Sequence, residues 1–371
     1  MTQLSPTSRV GIAADVCVLS TGDVRVPVFT DSPAVRPRPV DQAYPAAAGA
    51  TDLRAAIAGP LPAEQVLVAP GGRLAILSVL ATALGDRPEV LLPVPYWASY
   101  PTLIRAAGGV PVTVPGAEPA RSGAAGLEVA RLEAARTRRT GAVVINSPRN
   151  PDGAVLPLDT LREVAGWADR HGVLVLFDQI YRGVPLGPVA APTILDLGAD
   201  LPERYAVIDG LTKSHALAGI RLGWALAPKD IIGAATAHAS HVVGGTSSVT
   251  QDLALAALRD SAAIQDRLRP LLRSNLTSVR DALGDVAGVD CPIPDAGIFC
   301  FPDLRRWRDR LAPAEARDNP VAWLRDVHRV AVVDGAAFGA PGHVRFSFAL
   351  PADELRVGVG RLRAALTVGA G

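Results

Sequence analysis

Val173-Leu174-Val175-Leu176-Phe177-Asp178-Gln179-Ile180-Tyr181 is an unbroken apolar run that stops at a carboxylate. A strand buried on both faces reads this way, because neither row of alternating side chains meets water. Ala142-Val143-Val144-Ile145-Asn146 and Tyr205-Ala206-Val207-Ile208-Asp209 repeat the pattern, each ending in a polar residue. Shorter runs lie at Val66–Ala69, Val90–Pro93 and Val110–Val114. Helices are predicted from Thr51, over Arg73–Leu84 and over Tyr100–Ala107, so strands and helices alternate. That alternation predicts an α/β fold: a mostly parallel sheet sandwiched by helices, with function at the carboxyl ends of its strands.

After about residue 252 the character changes. An arginine-rich helix is predicted over Asp260–Leu283. Strand-like pieces follow at Ile298–Pro302, Val330–Val333 and Val344–Phe348, then a closing helix over Ala352–Leu366. These predict a smaller α+β C-terminal domain, and 371 residues exceed what one core usually supports. The domain reading is an N-terminal arm over 1–43 packing on the small domain, a large domain over 44–255 and the small domain over 256–371. Residues 1 to about 40 read as irregular and end in the proline-rich Pro33–Pro39, while Pro115–Gly126 reads as an exposed loop.

Bulk composition excludes several classes. The net charge is +1, with 49% hydrophobic and 20% charged residues, so no basic excess points to nucleic acid. Leu127–Arg136 mixes both signs as the solvated face of a helix does. Cys17, Cys291 and Cys300 have neither metal-ligand spacing nor a disulfide framework, so no metal is expected. Cys300, inside an apolar run, reads as packed. No apolar run approaches the ~20 residues of a membrane span. The expectation is a soluble, cytoplasmic protein.

Of 37 lysines and arginines, only Lys213 and Lys229 are lysines. Where arginine would serve, this chain uses arginine. A lysine kept at 213 points to chemistry that a guanidinium cannot do: an amine can lose its proton, attack a carbonyl and form a Schiff base. It lies in Gly210-Leu211-Thr212-Lys213-Ser214-His215-Ala216-Leu217-Ala218-Gly219-Ile220-Arg221-Leu222-Gly223-Trp224, with Arg221 placed to clamp an anion nearby. Asp178, at a strand end, suits a protonated heterocyclic nitrogen; its plain alternative is a helix N-cap. Gly71-Gly72-Arg73 opens a helix with free N–H groups, an anion site or an ordinary turn. Asn146-Ser147-Pro148-Arg149-Asn150-Pro151-Asp152-Gly153 makes a rigid polar corner. Trp97 offers a stacking face or a piece of core. Arg345, in an otherwise apolar strand, is costly unless it meets a carboxylate. Neither G-x-G-x-x-G nor a P-loop occurs.

In this order, these segments resemble fold-type I pyridoxal phosphate enzymes of the class I/II aminotransferase family, from about Tyr44 to Leu366. Pro95-Tyr96-Trp97-Ala98-Ser99-Tyr100-Pro101 with Ala106-Ala107-Gly108-Gly109 is similar to the prokaryotic aspartate aminotransferase subgroup. The resemblance implies pyridoxal 5'-phosphate as cofactor, bound by the large domain, and a ping-pong reaction between an L-amino acid and a 2-oxo acid. It implies catalytic roles for Lys213, Asp178 and Tyr181. Lys213 would bond the cofactor and move the proton, Asp178 would pair with the pyridine nitrogen, and Tyr181 and Asn150 would bond its phenolic oxygen. Trp97 would stack on the ring, while Arg221, Gly71, Gly72, Arg73 and Thr212 would hold the phosphate. Arg345 would grip the substrate carboxylate, with Gly22, Asn150 and Trp97 also near substrate. Tyr44 would reach a neighbouring subunit's phosphate, implying a homodimer with shared active sites and no nucleic-acid or membrane partner.

The chain departs from the family pattern near the substrate. Gln179 replaces the usual Glu after Asp178, removing a charge. Arg149 and Asp152 flank Asn150 in unusual places, Thr21-Gly22-Asp23 lacks the usual Glu-Pro, and Asp334-Gly335 stands where Pro-Gly is common. This implies a specialised substrate, in secondary metabolism. Arg25, Arg73, Arg149 and His215 are all candidates to approach it. The alternative on the same residues is elimination or replacement, cyclisation or oxidation of an amino acid.

Overall fold

In the computed structural model, residues 13–28, 43–116, 127–187, 191–310 and 312–367 are described. The Pro33–Pro39 linker and most of the 115–126 loop lie outside them. The chain begins with β1 (Cys17–Val18), α1 (Thr51–Ala58), β2 (Val66–Ala69), α2 (Gly72–Ala83), β3 (Glu89–Pro93), α3 (Tyr100–Ala106), β4 (Val110–Val114) and α4 (Val129–Ala135). It continues through β5 (Thr140–Asn146), α5 (Leu158–His171), β6 (Leu174–Asp178), β7 (Tyr205–Gly210), β8 (Gly223–Leu226), α6 (Lys229–Val243), α7 (Ser248–Arg259) and α8 (Ser261–Leu283). The last part is β9 (Phe299–Cys300), α9 (Arg305–Arg310), α10 (Ala314–Arg317), α11 (Pro320–Asp326), β10 (Val330–Ala331), β11 (Val333–Asp334), β12 (Val344–Ser347) and α12 (Ala352–Thr367).

The apolar runs form one seven-stranded sheet in the order β2-β8-β7-β6-β5-β3-β4. Neighbours are parallel from β7 to β4, and only β8 runs antiparallel, against β2 and β7. The continuous hydrophobicity has its expected cause. In β6, Val175 and Phe177 enter one core cluster while Leu174 and Leu176 enter the other, on the opposite face. In β5, Val143 and Ile145 are divided from Ala142 and Val144 in the same way. Each such buried side chain contributes about 1.5–3 kcal/mol, so truncating Phe177 to alanine would cost about 3–5 kcal/mol. Helix α5 covers one face with Leu161, Val164, Ala165 and Ala168 at helical spacing and stops at Gly172 in the left-handed region.

Strand β8 is not among the strands predicted from sequence, because four residues beginning with glycine carry too little periodicity. Tertiary packing makes it. A Cβ on Gly223 would stand 2.4 Å from the Gly72 nitrogen, so only glycine lets β8 pass under the start of α2.

The C-terminal part forms a second, smaller α+β unit with an antiparallel sheet in the order β11-β12-β9. Asn275 of α8 donates to the carbonyls of Phe348 and Leu350, at 2.8 Å each, and so anchors the chain just after β12. The N-terminal segment corrects the reading of residues 1–40 as irregular throughout. Cys17–Val18 pairs in parallel with Val330–Ala331, and Leu19, Val24, Val26 and Val28 are buried. These residues are held by apolar burial that a proline-rich composition concealed.

Candidate active site

The carboxyl ends of β6 and β7, the start of α2 and the N-terminal segment converge on a cavity of about 330 Å³. Lys213, Asp178, Tyr181, Asn150, Trp97 and Thr212 all line it, although up to 116 residues of chain separate them. Gly22, Gly72, Arg73, Arg221 and Arg345 complete the predicted set along its wall. Two predicted residues stand apart from the lining. Gly71 sits directly behind it as the N-cap of α2, and Tyr44 lies on the surface, 96% exposed.

Asp178 closes β6 and is buried. One carboxylate oxygen accepts the Tyr100 hydroxyl at 2.7 Å, and the other accepts the Ile180 N–H at 3.1 Å. The second bond is an Asx turn after a strand, so the helix N-cap alternative does not apply. Burial pushes its pKa above the usual carboxylate range, while the Tyr100 and Ile180 hydrogen bonds oppose that rise. A buried carboxylate in this balance gains from a cationic N–H partner.

Lys213 points into the same space and donates to the Gly22 carbonyl at 2.6 Å. Burial lowers its pKa to about 8, with Arg345, Arg221 and Arg73 lowering it further against an opposing pull from Asp23. Its amine is therefore partly neutral near physiological pH, which nucleophilic attack on a carbonyl requires. Tyr181 is buried 6.0 Å from the amine, measured to its ring centroid. Burial raises its pKa, whereas Arg345 and a hydrogen bond with Asn150 lower it.

Two guanidiniums meet at the start of α2. Arg221 has φ 54°, in the left-handed region, and donates to the Ala218 carbonyl at 2.8 Å. Such backbone is costly for a residue with a Cβ and is retained mostly at functional sites. A Cβ on Gly71, itself at φ 93°, would lie 2.8 Å from Arg221 Nη2, so the glycine makes room for the guanidinium. Arg73 lies over the Trp97 ring, 5.1 Å from its centroid, and its pKa is lowered by burial and by Arg221. Two cations beside a helix N-terminus form a site for a doubly charged anion.

Arg345 lies at the far wall, 1% exposed. It donates to Asn150 Oδ1 at 3.1 Å and to the Ser20 carbonyl at 3.2 Å, and packs over Phe299 and Phe338 at 3.9 and 5.0 Å. Its Nε is buried without a partner, and burial lowers its pKa to about 10. A buried guanidinium with a spare N–H is prepared for a carboxylate.

The structure separates the four candidates for substrate approach. Arg73 lines the cavity. Arg25 is paired with Glu354 at 2.6 Å, Arg149 with Asp152 at 2.5 Å, and His215 lies between Ser214 and Ser261 at 2.8 and 2.6 Å. Arg149 and Asp152, two departures from the family pattern, are thus one compensating ion pair. The charge thought to be lost at Gln179 is also present: Gln179 Nε2 donates to Asp209 Oδ2 at 3.0 Å. Sequence reasoning missed Tyr100, Asp23 and Asp209. Tyr100 had a signal, since its place three residues after Trp97 lets the two rings meet, at 5.2 Å edge to face. Asp209 shared the strand-end signal that marked Asp178, but its bond to Gln179 was not legible, and Asp23 had no signal, because their neighbours come from distant segments.

Comparisons with known proteins agree with this geometry. The family model described as Aminotransferase class I and II matches residues 15–362. An aspartate aminotransferase of Streptomyces avermitilis is 36% identical over 336 residues, covering 87% of this chain and 81% of that protein. One from Geobacillus stearothermophilus is 36% identical over 301 residues, covering 81% and 75%. Among solved structures, the aromatic aminotransferase of Pyrococcus horikoshii superposes with a TM-score of 0.83 at 27% identity, covering 96% of each chain.

Proposed function

The chain belongs to the class I and II aminotransferase family and is a pyridoxal phosphate-dependent transferase, and we propose how its own residues run the reaction. When bound, the cofactor supplies a protonated ring that accepts the electron pair left at the donor's Cα. The residues present suit it. Arg73 and Arg221 act on each other at the start of α2, Asp178 accepts from two neutral donors, and Arg345 Nε is buried without a partner among the described residues. In this proposal Arg221, Arg73, Thr212 and the Gly71–Gly72 backbone hold the phosphate. Asp178, oriented by Tyr100, pairs with the ring nitrogen and keeps it protonated. Tyr181 and Asn150 bond the phenolic oxygen, and Trp97 covers the ring.

Lys213 would hold the cofactor through Nζ, the one amine among the described residues lining the cavity. As a free amine in the same cavity, Lys213 Nζ would be the base that takes the donor's Cα proton and the acid that gives it back. Arg345 receives the donor's carboxylate and orients the Cα bond for this transfer. The observation that carries the reading is a buried amine held near pH 8 in one cavity with a buried carboxylate and two separate guanidinium sites.

We propose further that the donor is a specialised amino acid in place of aspartate, in secondary metabolism. Asp23 lines the cavity close enough to act electrostatically on Lys213, and its carboxylate would repel a second carboxylate on the donor. Exposed Tyr44 supports a homodimer in which it reaches the partner's phosphate. The boundaries 1–43, 44–255 and 256–371 are proposed as arm, large domain and small domain. Three free cysteines support a reducing, cytoplasmic setting.

The test is the absorbance of the protein with pyridoxal phosphate before and after a panel of amino acids. A yellow protein bleached by one donor and restored by a 2-oxo acid supports the reading and identifies that donor. Lys213→Ala should lose the covalent absorbance band; undiminished turnover by that variant would sink the assignment.

A further inference from the structure

Asp209 is a buried-side carboxylate that the reaction above does not use. It is the penultimate residue of β7, one residue beyond Ile208, whose register partner is Asp178 on the adjacent β6. One of its oxygens accepts the Gly210 N–H at 2.7 Å, and the other accepts Gln179 Nε2 at 3.0 Å. The far end of the same amide is also taken: the Thr193 hydroxyl donates to Gln179 Oε1 at 2.5 Å. Gln179 is buried and its backbone N–H bonds the Ile208 carbonyl at 3.0 Å. The amide is thereby fixed in one orientation, with its N–H toward Asp209. The charged groups acting on Asp209 are Asp178 on β6 and Arg182 in the turn after it, while β8 presents the uncharged Trp224 opposite.

We propose that Asp209 is a positioning residue for the reaction, supplying through Gln179 the negative charge that fixes the turn bearing Asp178 and Tyr181 and favours the protonated form of the cofactor bonded to Lys213. The geometry places this carboxylate on the strand that leads directly into the Lys213 loop. Adjacent strands stand about 4.8 Å apart, so Asp209 acts from roughly 10 Å or less on the ring partner Asp178. The charge expected at position 179 is therefore supplied from the neighbouring strand, and Gln179 is the connector. Burial raises the Asp209 pKa to about 7, with the Gln179 and Gly210 hydrogen bonds opposing. Above that pH the carboxylate is ionised and opposes loss of a proton from the adduct.

This rests on the roles proposed for Lys213 and Asp178, and the experiment separates the two. The cofactor-loaded protein is titrated with pH while the absorbance of the Lys213-bonded cofactor is followed. Asp209→Asn should lower the midpoint by about half a pH unit, as one charge at roughly 10 Å does at an effective dielectric between 20 and 80. Moving the carboxylate back across the pair, in Gln179→Glu with Asp209→Asn, should restore the wild-type midpoint. Thr193→Val, which cuts the amide's other hydrogen bond and changes no charge, should leave it in place. An unmoved midpoint in Asp209→Asn, no rescue by the swap, or an equal shift in Thr193→Val would each overturn the proposal. Should Asp209→Asn not fold, Asp209→Ala removes the charge without offering Gln179 a competing amide, and the same midpoint decides. A wild-type protein without any titrating cofactor band would instead remove the roles of Lys213 and Asp178.

Discussion

Replacing Arg345 with methionine should leave the ligand-free fold about as stable and damage substrate binding. The guanidinium is 1% exposed, yet among the described residues it makes two hydrogen bonds, both to neutral oxygens, and its buried Nε has no partner. Burial lowers its pKa from 12.5 to about 10, which at 1.36 kcal/mol per pH unit is a cost of about 3 kcal/mol to the folded protein. Because the folded value is depressed, that cost is present at every pH below about 10 and fades only as pH rises toward 12.5. Methionine removes it and still fills the space over Phe299 and Phe338, while losing two hydrogen bonds from a charged donor costs at least about 1.5 kcal/mol each. The two effects nearly cancel, so the ligand-free protein should stay within about 1 kcal/mol of wild-type stability by urea titration.

Substrate binding should show the reverse. Losing a desolvated guanidinium–carboxylate contact costs about 2–4 kcal/mol, which raises KM for amino acid donors between about 30- and 1,000-fold. The assay is the half-reaction monitored by cofactor absorbance, with an amino acid and its decarboxylated amine as paired donors. The amine has no carboxylate to grip, so its rate should be similar in both proteins. A clear loss of stability with KM unchanged, or an equal loss with both donors, would refute the reasoning.

Two further outcomes follow from named contacts. With the Lys213 amine lowered to about 8, capture of pyridoxal phosphate by the cofactor-free protein should rise about tenfold per pH unit from 6 and level off near 8. A rate that climbs steadily to pH 10 would show an ordinary lysine. Arg149→Ala leaves the Asp152 carboxylate, 6% exposed, without its ion-pair partner, so stability should fall by about 3 kcal/mol while KM stays within about threefold. A tenfold KM change with stability intact would place Arg149 at the substrate.

The legible part of this protein is the part governed by local pattern. Runs such as Val173–Asp178 announce buried parallel strands, because burial on both faces demands continuous hydrophobicity. A lysine kept where arginine fills almost every other basic position announces amine chemistry. Glycines before a helix announce an anion site. Strand β8 was hidden, because four residues reach strand geometry only by lying between β2 and β7. So was the order in the N-terminal segment, which Val330–Ala331 and the core hold in place.

Sequence by itself determined the α/β class, the family resemblance and most of the residues at the cavity wall, since each is set by residue type and short-range spacing. Only the tertiary structure decided which charges meet. It pairs Arg149 with Asp152, withdraws Arg25 to Glu354, leaves Arg73 facing the cavity and gives Gln179 the carboxylate of Asp209. Those outcomes depend on distances between segments far apart in the chain. Electrostatic energy and desolvation vary with distance and burial, which residue order does not specify.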